Sequence, residues 1–289
     1  MKRSKVWDTL FLFPAVFAFV MVIVVPFVLG IYYSFTDWNG ISPVFNFVGF
    51  KNYPAMFSER QFQYSFIITL IFTVINIVLV NVVGFGLALL ATSNLKLKNF
   101  YRAGFFVPNL IGGIVLGYIW QFMFNNLFTV VFGAKSLLTN ANNAILAMSI
   151  VNTWQYSGYI MMIYVAAIQS IPEEVMEAAS VDGATYFVRL RKILVPMMAN
   201  SFTITLFLTL TNSFKQYDMN FTLTNGGPSA RFGGKILQGT RLLAMDIFNT
   251  ANAQNDLAVA QAKAVVFFIL LVIFSLIQVS ISRRKELEA

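Results

Sequence analysis

Residues 10–33 contain no charged side chain. A helix needs roughly 20 mostly apolar residues to cross the hydrocarbon layer of a bilayer, so this run spans one even when tilted. It follows Lys2, Arg3 and Lys5 and so imitates a secretory signal. It is too long for the apolar core of such a signal, however, and no A-x-A cleavage pattern follows it. It is read as an uncleaved first span. Comparable runs recur at about 64–91, 104–124, 144–168, 200–214 (with some extension) and 257–281. Asn143 and Asp256 stand where the N-caps of the fourth and sixth helices would fall.

The rest of the composition agrees. Hydrophobic residues make up 58% of the 289 and charged ones 11%, against about a quarter charged in soluble domains. The expectation is an all-α integral membrane protein with six transmembrane helices. Residues 1–63 would form the first span and an external loop, 64–281 the transmembrane core, and 282–289 a basic tail. The chain has neither Cys nor His. Disulfides, thiol catalysis and Cys-based metal sites are therefore excluded, and the commonest general base and metal ligand is missing. No metal site or cofactor of its own is expected.

The basic residues orient the spans. With both termini cytoplasmic, the inner segments hold Lys2, Arg3 and Lys5, then Lys96, Lys98 and Arg102, then Arg189, Arg191 and Lys192, then Arg283, Arg284 and Lys285. Lys51, Arg60, Lys135, Lys215, Arg231, Lys235, Arg241 and Lys263 fall outside. Basic clusters flanking spans on the inner side follow the positive-inside rule. The net charge of +8 is thus mostly topological, and nucleic acid is not needed as a partner.

That topology places residues 169–199, between the fourth and fifth spans, at the cytoplasmic face. There "SIPEEVMEAASVDG" interrupts the apolar pattern. Ser170 and Glu173 have the spacing of a capping box, predicting a helix from just after Ser170 with Pro172 in its first turn. Glu173, Glu174 and Glu177 fall where they complement the positive end of the helix dipole. Asp182-Gly183 supplies a turn in which glycine takes positive φ. "ATYFVRLRKI" is expected to resume as a short helix ending before Pro196. An acidic helix of this kind suits a protein partner better than a lipid surface, where interfacial helices favour Lys and Arg.

These residues also resemble a known pattern. Permeases of binding-protein-dependent ABC importers carry EAA, three residues, Gly, nine residues and I-x-L-P. Here stand Glu177-Ala178-Ala179, Gly183, Ile193 and Val195-Pro196, with Val in place of Leu. The stretch 152–184, "TNGGPSA" at 224–230 and "PAVFAFVMVIVVPFVLGIYYSFTDW" are similar to the carbohydrate-uptake branch, maltose or multiple-sugar type, in its compact six-span form. The resemblance implies a type I importer fold and a non-catalytic, pore-forming subunit in a bacterial or archaeal cell membrane. Implied partners are a second homologous permease, two cytoplasmic ATPase subunits that bind ATP and magnesium, and an extracytoplasmic solute-binding protein. Glu173, Glu174, Glu177, Ala178, Ala179, Asp182, Gly183, Ile193 and Pro196 would form the coupling loop seated on an ATPase. The chain itself has no Walker A motif: "FGGKI" lacks the first Gly and the Ser/Thr.

Polar residues within spans either line a pathway or tie helices together. Asn76 and Asn81 lie in the second span. For the pathway the candidates are Asn109, Asn152, Gln155, Tyr156, Asn212, Lys215 and Asp218, because amides and aromatic rings suit a sugar's hydroxyls and CH faces. Two other cargoes or drives remain open at this point. The same machine could carry glycerol phosphate or a polyol, and an ion-coupled secondary transporter is the alternative class. The latter is disfavoured because Asp8, Asp218 and Asp256 sit only near span ends.

Overall fold

The computed structural model describes residues 2–93, 96–133 and 135–287. The side chains of Lys2, Arg3, Lys5, Asp8, Arg284 and Lys285, and residues 288–289 of the expected tail, lie outside the described set. In chain order the elements are α1 (Thr9–Tyr33), α2 (Asn52–Ser58), α3 (Arg60–Thr92), α4 (Lys98–Phe106), α5 (Gly113–Val131) and α6 (Ala141–Gln169). They continue as α7 (Glu173–Val181), α8 (Tyr186–Met197), α9 (Ala199–Phe214) and α10 (Asp218–Thr224). Strands β1 (Ser229–Phe232) and β2 (Lys235–Gln238) follow, then α11 (Leu243–Asn252) and α12 (Leu257–Leu287).

The chain forms two compact units, Met1–Glu59 with Ile247–Ile269, and Arg60–Asp246 with Leu270–Ala289. In the first, α1 is apolar all round and only Gly30 is buried within Val25–Tyr33. A π turn at Val20–Val24 precedes Pro26, and Val25 N–H bonds to the Val20 carbonyl. The loop beyond is pinned by Asn52, whose amide donates to the Ser34 and Thr36 carbonyls at 2.8 and 2.7 Å. Asp37 accepts from the Asn46 backbone N–H at 2.6 Å and its side-chain amide at 3.1 Å. Those hydrogen bonds, the backbone one first, hold the Asp37 carboxyl below its ordinary range. Asp256 caps α12 as expected, accepting from Val259 N–H at 3.2 Å. Lys263 is fully buried, with Nζ 2.6 Å from Glu59 Oε2 and 2.7 Å from Thr250 Oγ1.

In the second unit, α3, α6 and α9 pack along their lengths. One apolar cluster joins Ile68 and Phe72 to Met148, Val151, Met219 and Leu223. Another joins Val80 to Ile160, Met161, Tyr164 and Met198. Glycines permit the closest approaches. A Cβ on Gly84 would lie 3.0 Å from Ile160 Cγ2, and one on Gly158 would fall inside the Phe105 carbonyl. The β1–β2 hairpin is antiparallel, Ser229 opposite Gln238 and Phe232 opposite Lys235. It adds two short strands to the helices expected from the sequence. Gln61 fastens it to α3, donating to the Gln238 carbonyl at 3.2 Å and accepting its N–H at 3.0 Å.

Among the described helices, α1, α3, α5 and α12 are long and apolar enough to span a membrane, and α8 with α9, bent by 71°, make a fifth candidate. The 29-residue α6 also has the length, but its buried Asn, Gln, Ser and Thr residues dilute its hydropathy. These six fall at the six expected places, with local corrections. The third span starts at Gly113 rather than residue 104. Pro108 sits in a 3₁₀ turn, Val107–Leu110, and Ile111 and Gly112 are extended, so α4 cannot run on into α5. The cap of α6 is Asn140, not Asn143, its side chain accepting from Asn142 N–H at 2.9 Å. Helix α8 does not stop before Pro196. A π turn at Leu190–Leu194 precedes that proline, and the chain bends only at Met198.

Candidate functional site

Two places carry polar chemistry that the packing of α3, α6 and α9 alone does not need. The first is the elbow around α7. Ser170 is not its N-cap: it ends α6, its hydroxyl donating to the Ala167 carbonyl at 2.8 Å. The cap is Pro172, with φ −58° and ψ 134°. Proline's preset φ starts the helix, while Glu173 and Glu174 occupy the first turn beside the exposed N–H groups. At the other end Ala184 N–H bonds to the Ala179 carbonyl at 2.9 Å and Gly183 N–H to the Ser180 carbonyl at 3.1 Å. This is a Schellman motif, and the Gly183 φ of +78° explains the glycine there. Arg189 of α8 donates to the Ser180 hydroxyl and so clips α8 to α7.

The elbow has two faces. Ala179 is buried and Met176, three residues earlier, packs on the cluster of Val165, Leu194 and Met198. Glu173, Glu174, Glu177, Ala178, Asp182 and Gly183 are exposed. Val181 and Phe187 protrude beside them, 88% and 76% exposed. Ile193 and Pro196 are half-buried in α8 and do not join that outer face. The face is therefore acidic with two apolar studs, fixed from behind by backbone hydrogen bonds.

The second place is the polar interior between α3, α6 and α9. Asn76 is fully buried and donates to the Phe72 carbonyl at 2.7 Å and to Ser149 Oγ at 3.3 Å. Asn152 donates to Asn76 Oδ1 at 2.7 Å and accepts from Gln216 at 3.2 Å. Further along, the Tyr164 hydroxyl donates to Asn81 Oδ1 at 2.8 Å and lies 2.7 Å from Thr205 Oγ1. Asn81 in turn donates to Thr209 Oγ1 at 3.1 Å. Each such bond across helices contributes about 0.6–2 kcal/mol in a membrane.

The predicted pathway residues separate. Asn152, Tyr156 and Asn212 come together with Thr209 and Ser213 around a gap of about 10 Å³, at or below the roughly 10–15 Å³ one water needs. Ser213 Oγ there has no hydrogen-bond partner among the described residues. Gln155 instead donates to the Ile111 carbonyl at 3.0 Å, bracing the break before α5. Asn109 is half-buried in the 3₁₀ turn, and Lys215 and Asp218 are exposed. Sequence reasoning missed Tyr164, Thr205, Thr209 and Gln216. The threonines stand four residues apart in their helix, a spacing that also fits ordinary packing, so only their partners identify them.

Residues 81–287 match the family described as "Binding-protein-dependent transport system inner membrane component". The chain is 40% identical to the probable starch degradation products transport system permease protein AmyD of Thermoanaerobacterium thermosulfurigenes, over 99% of this chain and 97% of that one. It is 30% identical to the multiple sugar-binding transport system permease protein MsmF of Streptococcus mutans, over 98% and 97% respectively. Its fold is similar to a chain in the crystal structure of a bacterial ABC transporter involved in the import of the acidic polysaccharide alginate. That likeness has TM-score 0.80 at 19% identity, over 98% of this chain and 96% of the other.

Proposed function

The chain belongs to the family of binding-protein-dependent transport system inner membrane components, and we propose that it is the pore-forming permease of an ATP-driven importer for oligosaccharides. The observation that carries this is the elbow: a short helix with its acids outward, locked by a glycine turn and clipped to the bent α8–α9 pair. A push on α7 passes through Arg189 and Met176 into α8 and the cluster against α6. In the proposed machine two cytoplasmic ATPases grip this face and that of a second permease, and bind the ATP and magnesium. Both termini and the elbow lie in the cytoplasm. A solute-binding protein delivers cargo at the opposite face, and the relatives' names favour a sugar.

The closed gap at Asn152, Tyr156 and Asn212 fits a resting state. Sugar passes when the α6 and α9 faces separate there, exposing an amide and a phenol ring to hydroxyls and CH groups. Asn152, already bonded to Asn76 and Gln216, serves first as a tie between helices.

The test uses the complete transporter in proteoliposomes. Glu177→Lys reverses charge on the docking face, and Gly183→Pro removes both a positive φ and an N–H of the turn. Each should leave insertion normal and abolish uptake together with binding-protein-stimulated ATP hydrolysis. Wild-type uptake by both variants would overturn the coupling role. Asn212→Ala should raise the half-saturation for sugar roughly tenfold, the scale of one lost buried hydrogen bond, with assembly unchanged.

A further inference from the structure

A cleft of about 780 Å³ runs between α3, α9 and α12. Its walls are apolar: Val74 and Ile77 from α3, Phe202 and Leu206 from α9, Phe274 and Ile277 from α12. Val74 and Ile277 are well exposed, so the cleft is open along one side. Its volume falls in the range of ligand sites, roughly 300–1,000 Å³. The chemistry changes at one end. There Val195, Pro196, Ile281 and Ser282 complete the lining. Arg191 and Lys192 stand one helical turn before Val195 and Pro196, and Arg283 directly follows Ser282. All three are exposed. Beside them Gln278 donates to the Thr203 carbonyl at 3.3 Å and to Ser282 Oγ at 3.1 Å. Gln278 Oε1 has no hydrogen-bond partner among the described residues.

We propose that this cleft is a binding site for one anionic phospholipid, its acyl chain lying between α3, α9 and α12 and its phosphate held by Arg191, Lys192 and Arg283. An apolar cleft facing a bilayer fills with hydrocarbon, and basic pockets between helices at a membrane surface hold anionic head groups. The charge at one end selects the occupant, because an anionic head group can pair with the three exposed cations. Phosphatidylglycerol, which carries one negative charge on its phosphate, is the simplest lipid of this class. Walls drawn from the two helices that flank the bend at Met198 make this lipid a wedge whose presence would resist movement of α8 against α9.

Brominated lipids test it. In the complete transporter reconstituted in nanodiscs, Ile277→Trp puts an indole in the cleft, and the parent protein gives the background from native tryptophans. Brominated phosphatidylglycerol should quench the introduced indole at a mole fraction about 30- to 150-fold lower than brominated phosphatidylcholine, as expected for two to three basic contacts. The preference should vanish when Arg191→Gln, Lys192→Gln and Arg283→Gln are added together. Equal quenching by both lipids would reduce the cleft to ordinary bilayer contact and overturn the proposal. Quenching by neither would mean that a protein helix fills the cleft, and would overturn it equally. A preference that survives the triple substitution would also overturn it. Should Ile277→Trp fail to assemble, Val74→Trp on the opposite wall reads the same cleft.

Discussion

Helices α1 and α6 are both long enough to cross a bilayer, and their compositions are opposed. Helix α1 has no polar residue between Leu10 and Gly30, yet its side chains stand exposed, Phe11 by 78% and Val22 by 71%. Helix α6 carries Ser149, Asn152, Thr153, Gln155 and Ser157, and all five are buried. In water the apolar helix would be the core and the polar one the surface. In a bilayer the solvent is itself hydrocarbon, so apolar side chains gain little by leaving it. Amides and hydroxyls, by contrast, must find partners inside the protein. Polarity, not hydropathy, therefore marks the helix that organises the second unit.

Substitutions in α6 should accordingly dominate those in α1. The largest effect is expected for Gly158→Val. Its Cβ would collide with the Phe105 carbonyl, a backbone atom that cannot step aside. Overpacking of this kind costs about 3 kcal/mol or more, and the yield of folded protein in membranes should fall at least about tenfold. Tyr164→Phe ranks next: it removes the donor to Asn81 and the partner of Thr205. A loss of about 1 kcal/mol is expected in detergent-unfolding titrations, and a double-mutant cycle with Asn81→Leu should show the two changes to be coupled. Val22→Ala in α1 should shift stability by under about 0.5 kcal/mol. A loss above about 2 kcal/mol would show that protein rather than lipid covers α1 in the assembled transporter, and the contrast would collapse.

The smallest effect concerns the loop after α1. Asp37 is held ionised by Asn46. Its folded pKa lies below the unfolded value, so its contribution is present above the unfolded value and is lost as pH falls through the folded one. The NMR shift of the Asn46 amide should stay flat from about pH 8 to about pH 5 and move only in more acid solution.

Much of this architecture was legible in the chain. Six helical segments follow from apolar length, and the Gly183 turn follows from Asp-Gly after a run of good helix formers. Among the features that escaped, three show the physical reasons plainly. Ser170 suits the end of one helix as well as the start of the next, because a hydroxyl can donate to a carbonyl or accept from an N–H, and only the backbone chooses. Pro108 breaks the third segment although the hydropathy of residues 104–124 runs through it unbroken. In the polar interior, Asn152, Tyr156 and Asn212 meet around one gap, whereas Gln155, adjacent to Tyr156 in sequence, turns to a different neighbour. Spacing assigns a residue to a helical sector, but not the partner across it.

The π turns at Val20–Val24 and Leu190–Leu194 each end two residues before a proline, Pro26 and Pro196. Such a turn amounts to one residue inserted into a regular helix. Removing one residue from 190–194 would leave an uninterrupted α-helix and rotate everything on one side by about 100°. The elbow, clipped through Arg189, would then face a different direction while every one of its own side chains stayed the same. The azimuth of the elbow's acidic face is thus stored as a count of residues, and related chains that keep the EAA stretch but differ by one residue in that segment should turn that face in a different direction.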